Sequence, residues 1–112
     1  MIITKPEPFT KSEITQAQEH FGVYIKTVID VEKRICSAGA DRHFESEAIL
    51  LEQGSKQSDI WGGGIDPETK DIDFNSFINV RPKQDNKSNE IQSPELRKKY
   101  EEISKYFFQE IL

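Results

Sequence analysis

Apolar residues recur at helical spacing near the start of the chain, where the sequence predicts a first helix. Thr10 is followed three residues later by Glu13, the arrangement of a capping box that begins a helix. Ile14 and Ala17 then place apolar side chains on one side of the following turn. Together these features predict a helix over residues 11–20.

A second helix is predicted at the end of the chain. Ser93 is a favourable N-cap, and Pro94 is a favourable first helical residue. Apolar residues follow at spacings of three and four and form one stripe: Leu96, Tyr100, Ile103, Phe107 and Ile111. Tyr106 and Phe108 flank this stripe, so we expect surplus hydrophobic surface there, which is a feature of interfaces.

Between the two helices, β-branched residues alternate with polar ones and predict strands. Residues 23–36 are interpreted as one extended element that bends at the charged triplet 32–34, although a helical interpretation of the same run stays open. Three more extended segments are predicted, at residues 43–51, 58–61 and 72–80. In the last of these, Phe77 is the apolar exception on an otherwise polar face.

Turns and loops complete the predicted fold. The glycines at 62–64 are expected to end the segment before them, and residues 82–92 are expected to form a polar loop. The sum is an α+β fold, a small antiparallel sheet with an N-terminal and a C-terminal helix packed on one face. At 112 residues, the chain is expected to form a single domain, 1–112.

The composition narrows the classes of function. The chain has 20 acidic and 15 basic residues, and its net charge of −5 argues against binding to nucleic acid or to an anionic membrane surface. The single cysteine, Cys36, cannot form an internal disulfide, which fits a reducing compartment. The sequence has neither a signal-peptide pattern nor the ~20-residue apolar run that spans a bilayer. We therefore expect a cytoplasmic protein with no membrane segment.

The first candidate for chemistry is a polar row within residues 43–51. If this segment is a strand, His43, Glu45 and Glu47 project from the same face, with about 6–7 Å between successive positions. An imidazole with two carboxylates suits zinc, manganese or iron, so these residues are candidate metal ligands. The simpler interpretation is that a solvent-exposed sheet face is polar in any case, and we consider it the stronger one.

A second polar row lies within residues 72–80 and just beyond it. Asp73 and Asn79 could supply a further metal ligand, and Arg81 could bind an anionic group because its fork matches a carboxylate. Arg81 could equally form a structural salt bridge to a glutamate of the first row, which we consider more probable on a sheet face. Trp61 is expected to form a core contact or the wall of a pocket.

Two further segments resemble a small prokaryotic protein family of unknown function. The first is GSKQSDIWG, residues 54–62, and the second is FNSFINVRP, residues 74–82. The resemblance extends from about residue 25 to residue 97 and implies a shared fold and a shared polar site, without an established activity. Gly64 departs from the asparagine that members of the family carry at this position, which weakens any role for that loop.

Two functional hypotheses follow from the sequence. The preferred one is a small cytosolic binding or protein-interaction domain without catalytic activity, able to form homo-oligomers. The alternative is a metal-dependent hydrolase that uses the histidine and glutamates of the first polar row, with a metal-bound water as nucleophile. The sequence assigns neither a ligand nor a cofactor to the chain.

Overall fold

A computed structural model describes residues 1–18 and 22–112 of the chain. The described residues form one antiparallel sheet in the spatial order β1-β3-β2-β4-β5. Its strands are β1 (Ile3–Lys5), β2 (Ile25–Asp30), β3 (Ile35–Ala38), β4 (Ile60–Ile65) and β5 (Ile72–Asp73). With the helices, this architecture confirms the predicted α+β class.

The α-helices of the described residues are α1 (Lys11–Ala17), α2 (His43–Glu52) and α3 (Pro94–Phe107). The predicted capping box is confirmed, because Thr10 Oγ1 accepts from Glu13 N at 3.1 Å and Glu13 Oε1 accepts from Thr10 N at 2.9 Å. The predicted cap of the last helix is confirmed as well, since Ser93 Oγ accepts from Leu96 N. The last two residues of the predicted first helix lie outside the described residues.

Helices cover both faces of the sheet. The larger buried cluster joins residues of α1, α3 and the sheet, and within it the Tyr100 and Thr27 hydroxyls lie 2.7 Å apart. The smaller cluster joins Val28 to Leu50 of α2 and to Ile60. Because successive strand residues such as 27 and 28 point to opposite faces, α3 and α2 lie on opposite sides of the sheet. The sequence analysis had no helix on the second side.

The predicted extended element at residues 23–36 is in fact a hairpin. Strands β2 and β3 pair in antiparallel register, for example Ile29 with Cys36, across a turn at residues 31–34. Asp30 Oδ1 accepts the backbone N–H groups of both Glu32 and Lys33, and Arg34 adopts a left-handed backbone with φ of 56°. The open helical interpretation is therefore wrong, and the predicted bend is a complete reversal.

The strand predicted at residues 43–51 is wrong, because this segment is helix α2. The alternation of polar and apolar residues had suggested a strand. The buried positions, Ser46 and Leu50, are instead about one helical turn apart. The helix begins with Glu45 Oε1 accepting the N–H of Arg42 at 3.0 Å. The segment thus obeys the period of a helix that packs on the sheet.

The glycines at 62–64 do not end a strand but lie inside β4. They allow close approach of neighbouring segments: a Cβ at Gly62 would lie 2.6 Å from Ser76 Cβ, and one at Gly64 would collide with the Tyr24 ring. The strand predicted at residues 72–80 is likewise wrong beyond β5, because the chain leaves the sheet and forms a short 3-10 helix, Phe77–Asn79.

The aromatic end of α3 is not the exposed surface that the sequence indicated. Phe107 and Phe108 are completely buried, and both rings pack against Phe9, with ring centroids 5.5 and 5.2 Å away. Tyr106 is partly exposed, and its ring contacts Phe107. This end of the helix is part of the core.

Candidate functional site

The histidine and glutamates of the first predicted polar row have three different partners. His43 Nε2 lies 2.7 Å from Gly63 O, and because a carbonyl oxygen only accepts, Nε2 carries the hydrogen and donates. Glu45 caps its own helix, as described above. Glu47 Oε2 lies 3.6 Å from the guanidinium of Arg81. The premise that these side chains project together from a strand is therefore wrong.

The helical geometry also removes the basis of the predicted metal site. In an α-helix, residues two apart such as His43 and Glu45 point about 200° away from each other around the axis. His43 Nε2 donates to a backbone carbonyl and therefore does not act as a metal ligand in this arrangement. Within residues 1–18 and 22–112, no three His, Cys, Asp or Glu side chains are grouped so that they could hold a metal ion.

Arg81, for which the sequence left open anion binding and a structural salt bridge, is buried in the protein. Its guanidinium donates to backbone carbonyls of three residues, Gln57, Ile60 and Ile78. It also lies over the ring of Trp61, 4.5 Å from the centroid, and 3.6 Å from Glu47. Burial lowers the pKa of Arg81, and the nearby carboxylate of Glu47 opposes that shift. These contacts support the structural interpretation, in which Arg81 connects α2 to the edge of the sheet.

Asn79 continues the hydrogen bonding of the sheet where β5 ends. Its Oδ1 accepts from Gly62 N at 2.8 Å, and its Nδ2 donates to Gly62 O at 2.9 Å, so the side-chain amide acts as a neighbouring strand for β4. Nδ2 also contacts the carbonyls of Phe74 and Asn89. Asn79 is completely buried. This amide is therefore part of the fold and does not face solvent.

Asp73 and a residue that the sequence analysis missed complete this polar framework. Asp73 Oδ2 accepts from the Tyr24 hydroxyl at 2.6 Å. The missed residue is Asn86, which is buried in the predicted polar loop, and its Nδ2 donates to the carbonyls of Asn79, Ser88 and Glu90. No local pattern distinguishes Asn86 from its polar neighbours, because its partners are defined by the path of the loop.

A cavity of about 250 Å³ lies between the beginning of α2 and the 3-10 helix, and we call it the α2 pocket. Its lining comprises Lys26, Asp41, Arg42, His43, Phe44, Ser76, Phe77 and Ile78. Phe44 is 58% exposed, and Phe77 is 84% exposed. Two large aromatic side chains thus stand at an open cavity instead of packing into the core. Of the residues predicted as a site, only His43 lines this pocket.

The charge around the α2 pocket differs from that of the whole molecule. The chain carries a net charge of −5, yet the pocket lining contains Lys26 and Arg42 against one carboxylate, Asp41. The Nζ of Lys26 also lies 5.8 Å from the centroid of the Tyr24 ring. Sequence signals for this site were weak, but Phe77 as the apolar exception on a polar face was one of them. The pocket lining thus combines apolar side chains with two basic ones.

The fold is a small α+β arrangement, and the α2 pocket is the cavity at which the exposed Phe44 and Phe77 stand. The chain belongs to the family described as protein of unknown function (DUF5674), which matches it over residues 1–107. This finding confirms the resemblance to a family without an assigned activity. No curated protein and no solved structure matches the chain. None of the helices in the described part of the chain is long and apolar enough to cross a membrane.

Proposed function

We propose that this protein is a binding domain and that its binding site is the α2 pocket, which holds a small ligand with an apolar body. The observation that carries the proposal is the exposure of Phe44 and Phe77 on the pocket lining. Contiguous exposed apolar patches mark interaction sites and ligand-binding grooves. A cavity lined mainly by apolar side chains, with a few polar groups, is the usual form of a small-molecule site.

The energetic argument concerns the aromatic rings. Complete burial of a phenylalanine side chain stabilises by about 1.5–3 kcal/mol relative to its exposed state. Phe77, as the more exposed of the two, has most of this free energy still to gain. A ligand that covers both rings would gain part of it on binding.

The hydrogen bonds of the polar residues predicted from the sequence favour a binding function over a catalytic one. Asn79, Arg81 and Glu45 are each engaged with backbone groups of the protein itself. Residues that act as acids, bases or nucleophiles need access to a substrate. The proposed metal-dependent hydrolysis therefore has less support than binding.

The test is an NMR titration of the isotope-labelled protein with a neutral probe, 4-phenylbutanol. We expect saturable shifts of backbone amides at residues 41–44 and 76–78. The variant Phe44→Ser should weaken binding, whereas the matched variant Tyr106→Ser, at a partly exposed aromatic residue outside the pocket, should not. Shifts spread evenly over the surface, or none up to the solubility limit of the probe, would count against the site.

Self-association is a second candidate function, and a specific surface favours it. Phe44, Ala48 and Leu51 are exposed and lie at i, i+4 and i+7 of α2, so they form an apolar stripe on its outer side. We propose that the protein forms a homodimer through this stripe. Sedimentation of wild type and Leu51→Glu distinguishes the two functions, because Leu51 is not part of the pocket lining.

The location and the excluded partners are also proposals. A single buried cysteine, Cys36, and an acidic net charge support a cytoplasmic protein that does not bind nucleic acid. Burial raises the pKa of the Cys36 thiol, so the thiol is protonated at neutral pH. Fractionation of cells and a filter-binding experiment with labelled DNA and RNA test these two proposals.

A further inference from the structure

The chemistry of the polar groups on the α2 pocket narrows the class of ligand. We infer that the ligand is a small monoanion, an apolar body that carries one carboxylate. This inference rests on the proposed function, since it assumes that the pocket binds a ligand at all. It is carried by Ser76 and Arg42, which lie on the same cavity as the exposed phenylalanines.

Ser76 is the first of these groups, and it is a buried residue of the pocket lining. It is only 6% exposed, and its Oγ accepts a hydrogen bond from Ile78 N at 3.2 Å. Within the described part of the chain, the hydroxyl donates to no acceptor. A hydroxyl has one hydrogen to donate, so Ser76 Oγ can bind an acceptor oxygen of a ligand while it accepts from Ile78 N. A ligand that brings an acceptor oxygen would satisfy it.

Arg42 is the second group, and its side chain is exposed on the pocket lining. In the described residues it forms no ion pair, unlike Arg34, which binds Glu102 with both terminal nitrogens. A guanidinium presents a planar fork of donors that fits a carboxylate in a bidentate manner. Phe44 lies two residues after Arg42. A ligand that packs its apolar body against Phe44 could therefore place a carboxylate against the Arg42 guanidinium.

Asp41 limits the charge of the ligand. Its carboxylate belongs to the same lining as Arg42 and repels any anionic ligand, a dianion more strongly than a monoanion. A dianionic phosphate would meet this repulsion more strongly than a carboxylate would. The pocket lining thus favours one negative charge over two.

The size of the cavity limits the body of the ligand. At about 250 Å³ it lies just below the ~300–1,000 Å³ that is usual for sites of drug-sized molecules. A single ring or a short alkyl chain between Phe44 and Phe77 fits that space. The predicted ligands are therefore small aryl or alkyl monocarboxylates.

The experiment compares three probes that share one apolar body and differ in charge: 4-phenylbutyrate, 4-phenylbutanol and 4-phenylbutylamine. Affinities are measured by NMR titration of the full chain at low ionic strength. We expect the carboxylate to bind about two- to fivefold more tightly than the alcohol, the upper part of the range for an exposed charge pair. Added salt should reduce this preference, because salt screens exposed charges.

Two variants assign the preference to named groups. Arg42→Gln should remove the preference, so that the carboxylate and the alcohol bind with similar affinities. The matched variant Arg34→Gln, on the opposite face of the sheet, should change neither affinity. A milder variant, Ser76→Ala, should weaken both oxygen-bearing probes, since it removes only the hydroxyl.

The outcomes separate this inference from the proposed function. Equal binding of alcohol and carboxylate, or tightest binding of the amine, overturns the monoanion but leaves a binding pocket. Absence of binding for all three probes overturns both. If Arg42→Gln still binds the carboxylate more tightly than the alcohol, another group binds the anion. That result overturns the role given to Arg42.

Discussion

The two faces of the sheet are held together in different ways. On the side of α1 and α3, a large cluster of buried apolar residues closes the interface, including the fully buried Phe107 and Phe108. On the side of α2, the apolar cluster is small, and polar side chains fasten the chain instead. Asn79 and Arg81 form the main polar contacts there. The exposed Phe44 and Phe77 also lie on this second side.

This difference between the two faces indicates which face contributes most to stability and which is the better candidate for a binding site. Apolar burial is the dominant favourable contribution to folding, so the α3 side carries most of the stability. Buried polar side chains on the α2 side define the path of residues 74–92 and so place Phe77 beside α2. A face that keeps aromatic residues exposed at the expense of stability is the better candidate for function.

The largest effect is expected from a matched pair of phenylalanine substitutions, one on each side. Phe107→Ala should lower the free energy of unfolding by about 4 kcal/mol, because it leaves a cavity in the core. Phe77→Ala should change it by no more than about 0.5 kcal/mol, since the ring is exposed. Urea unfolding followed by circular dichroism measures both. Equal effects would remove the distinction between the two faces.

The next effect concerns the amide that extends the sheet. Asn79→Ala should cost about 3 kcal/mol, because it leaves both backbone groups of Gly62 without partners in a buried environment. Asn75→Ala, at an exposed asparagine four residues earlier, is the control and should be close to neutral. A small cost for Asn79→Ala would mean that water replaces the amide and that the α2 side is looser than described.

A smaller effect separates the contacts of Arg81. Arg81→Lys should cost about 2 kcal/mol, because an ammonium group cannot reproduce the fork of donors to several carbonyls. Glu47→Gln should cost less than about 1 kcal/mol, because its ion pair at 3.6 Å is only one of the contacts of Arg81. If the glutamate substitution proved the more costly, the ion pair and not the carbonyl contacts would fasten α2.

The smallest expected effect is a dependence of the free energy of unfolding on pH. It arises from a residue of α1, on the α1 and α3 side of the sheet. The backbone hydrogen bond from Thr10 and the side chain of Lys5 lower the pKa of Glu13 below its ordinary value of 4.5. A lowered pKa stabilises the fold above the unfolded value, and this contribution disappears as the pH falls through the folded pKa. Stability should therefore decrease on acidification, and less so in Glu13→Gln, which keeps the capping arrangement. Unfolding curves at pH 7 and pH 3 provide the comparison.

The sequence predicted those elements whose signals are local. Thr10 with Glu13 and Ser93 with Pro94 define helix beginnings through contacts within a few residues, and both predictions are confirmed. Residues 43–51 permit both a strand and a helix, and packing of Leu50 against Val28 decides between them. The glycines of β4 were misinterpreted for the same reason, because the segments that approach them are distant in sequence.

The candidate site was harder to predict than the fold. Asn79, Arg81 and Trp61 were named as candidates from the sequence, but partners of theirs lie far along the chain, so their contacts could not be inferred from spacing. Arg81 contacts Ile60, 21 residues earlier. The α2 pocket depends on Phe44 and Phe77 meeting across two elements, which only the three-dimensional arrangement reveals.

The affinity of Phe77→Ala for 4-phenylbutanol tests the central claim most directly. The account predicts binding about fivefold or more weaker than in wild type, because one apolar wall of the pocket is removed. It also predicts that this variant unfolds at the same urea concentration as wild type. Unchanged affinity in a stably folded variant would contradict the assignment of the α2 pocket as the binding site.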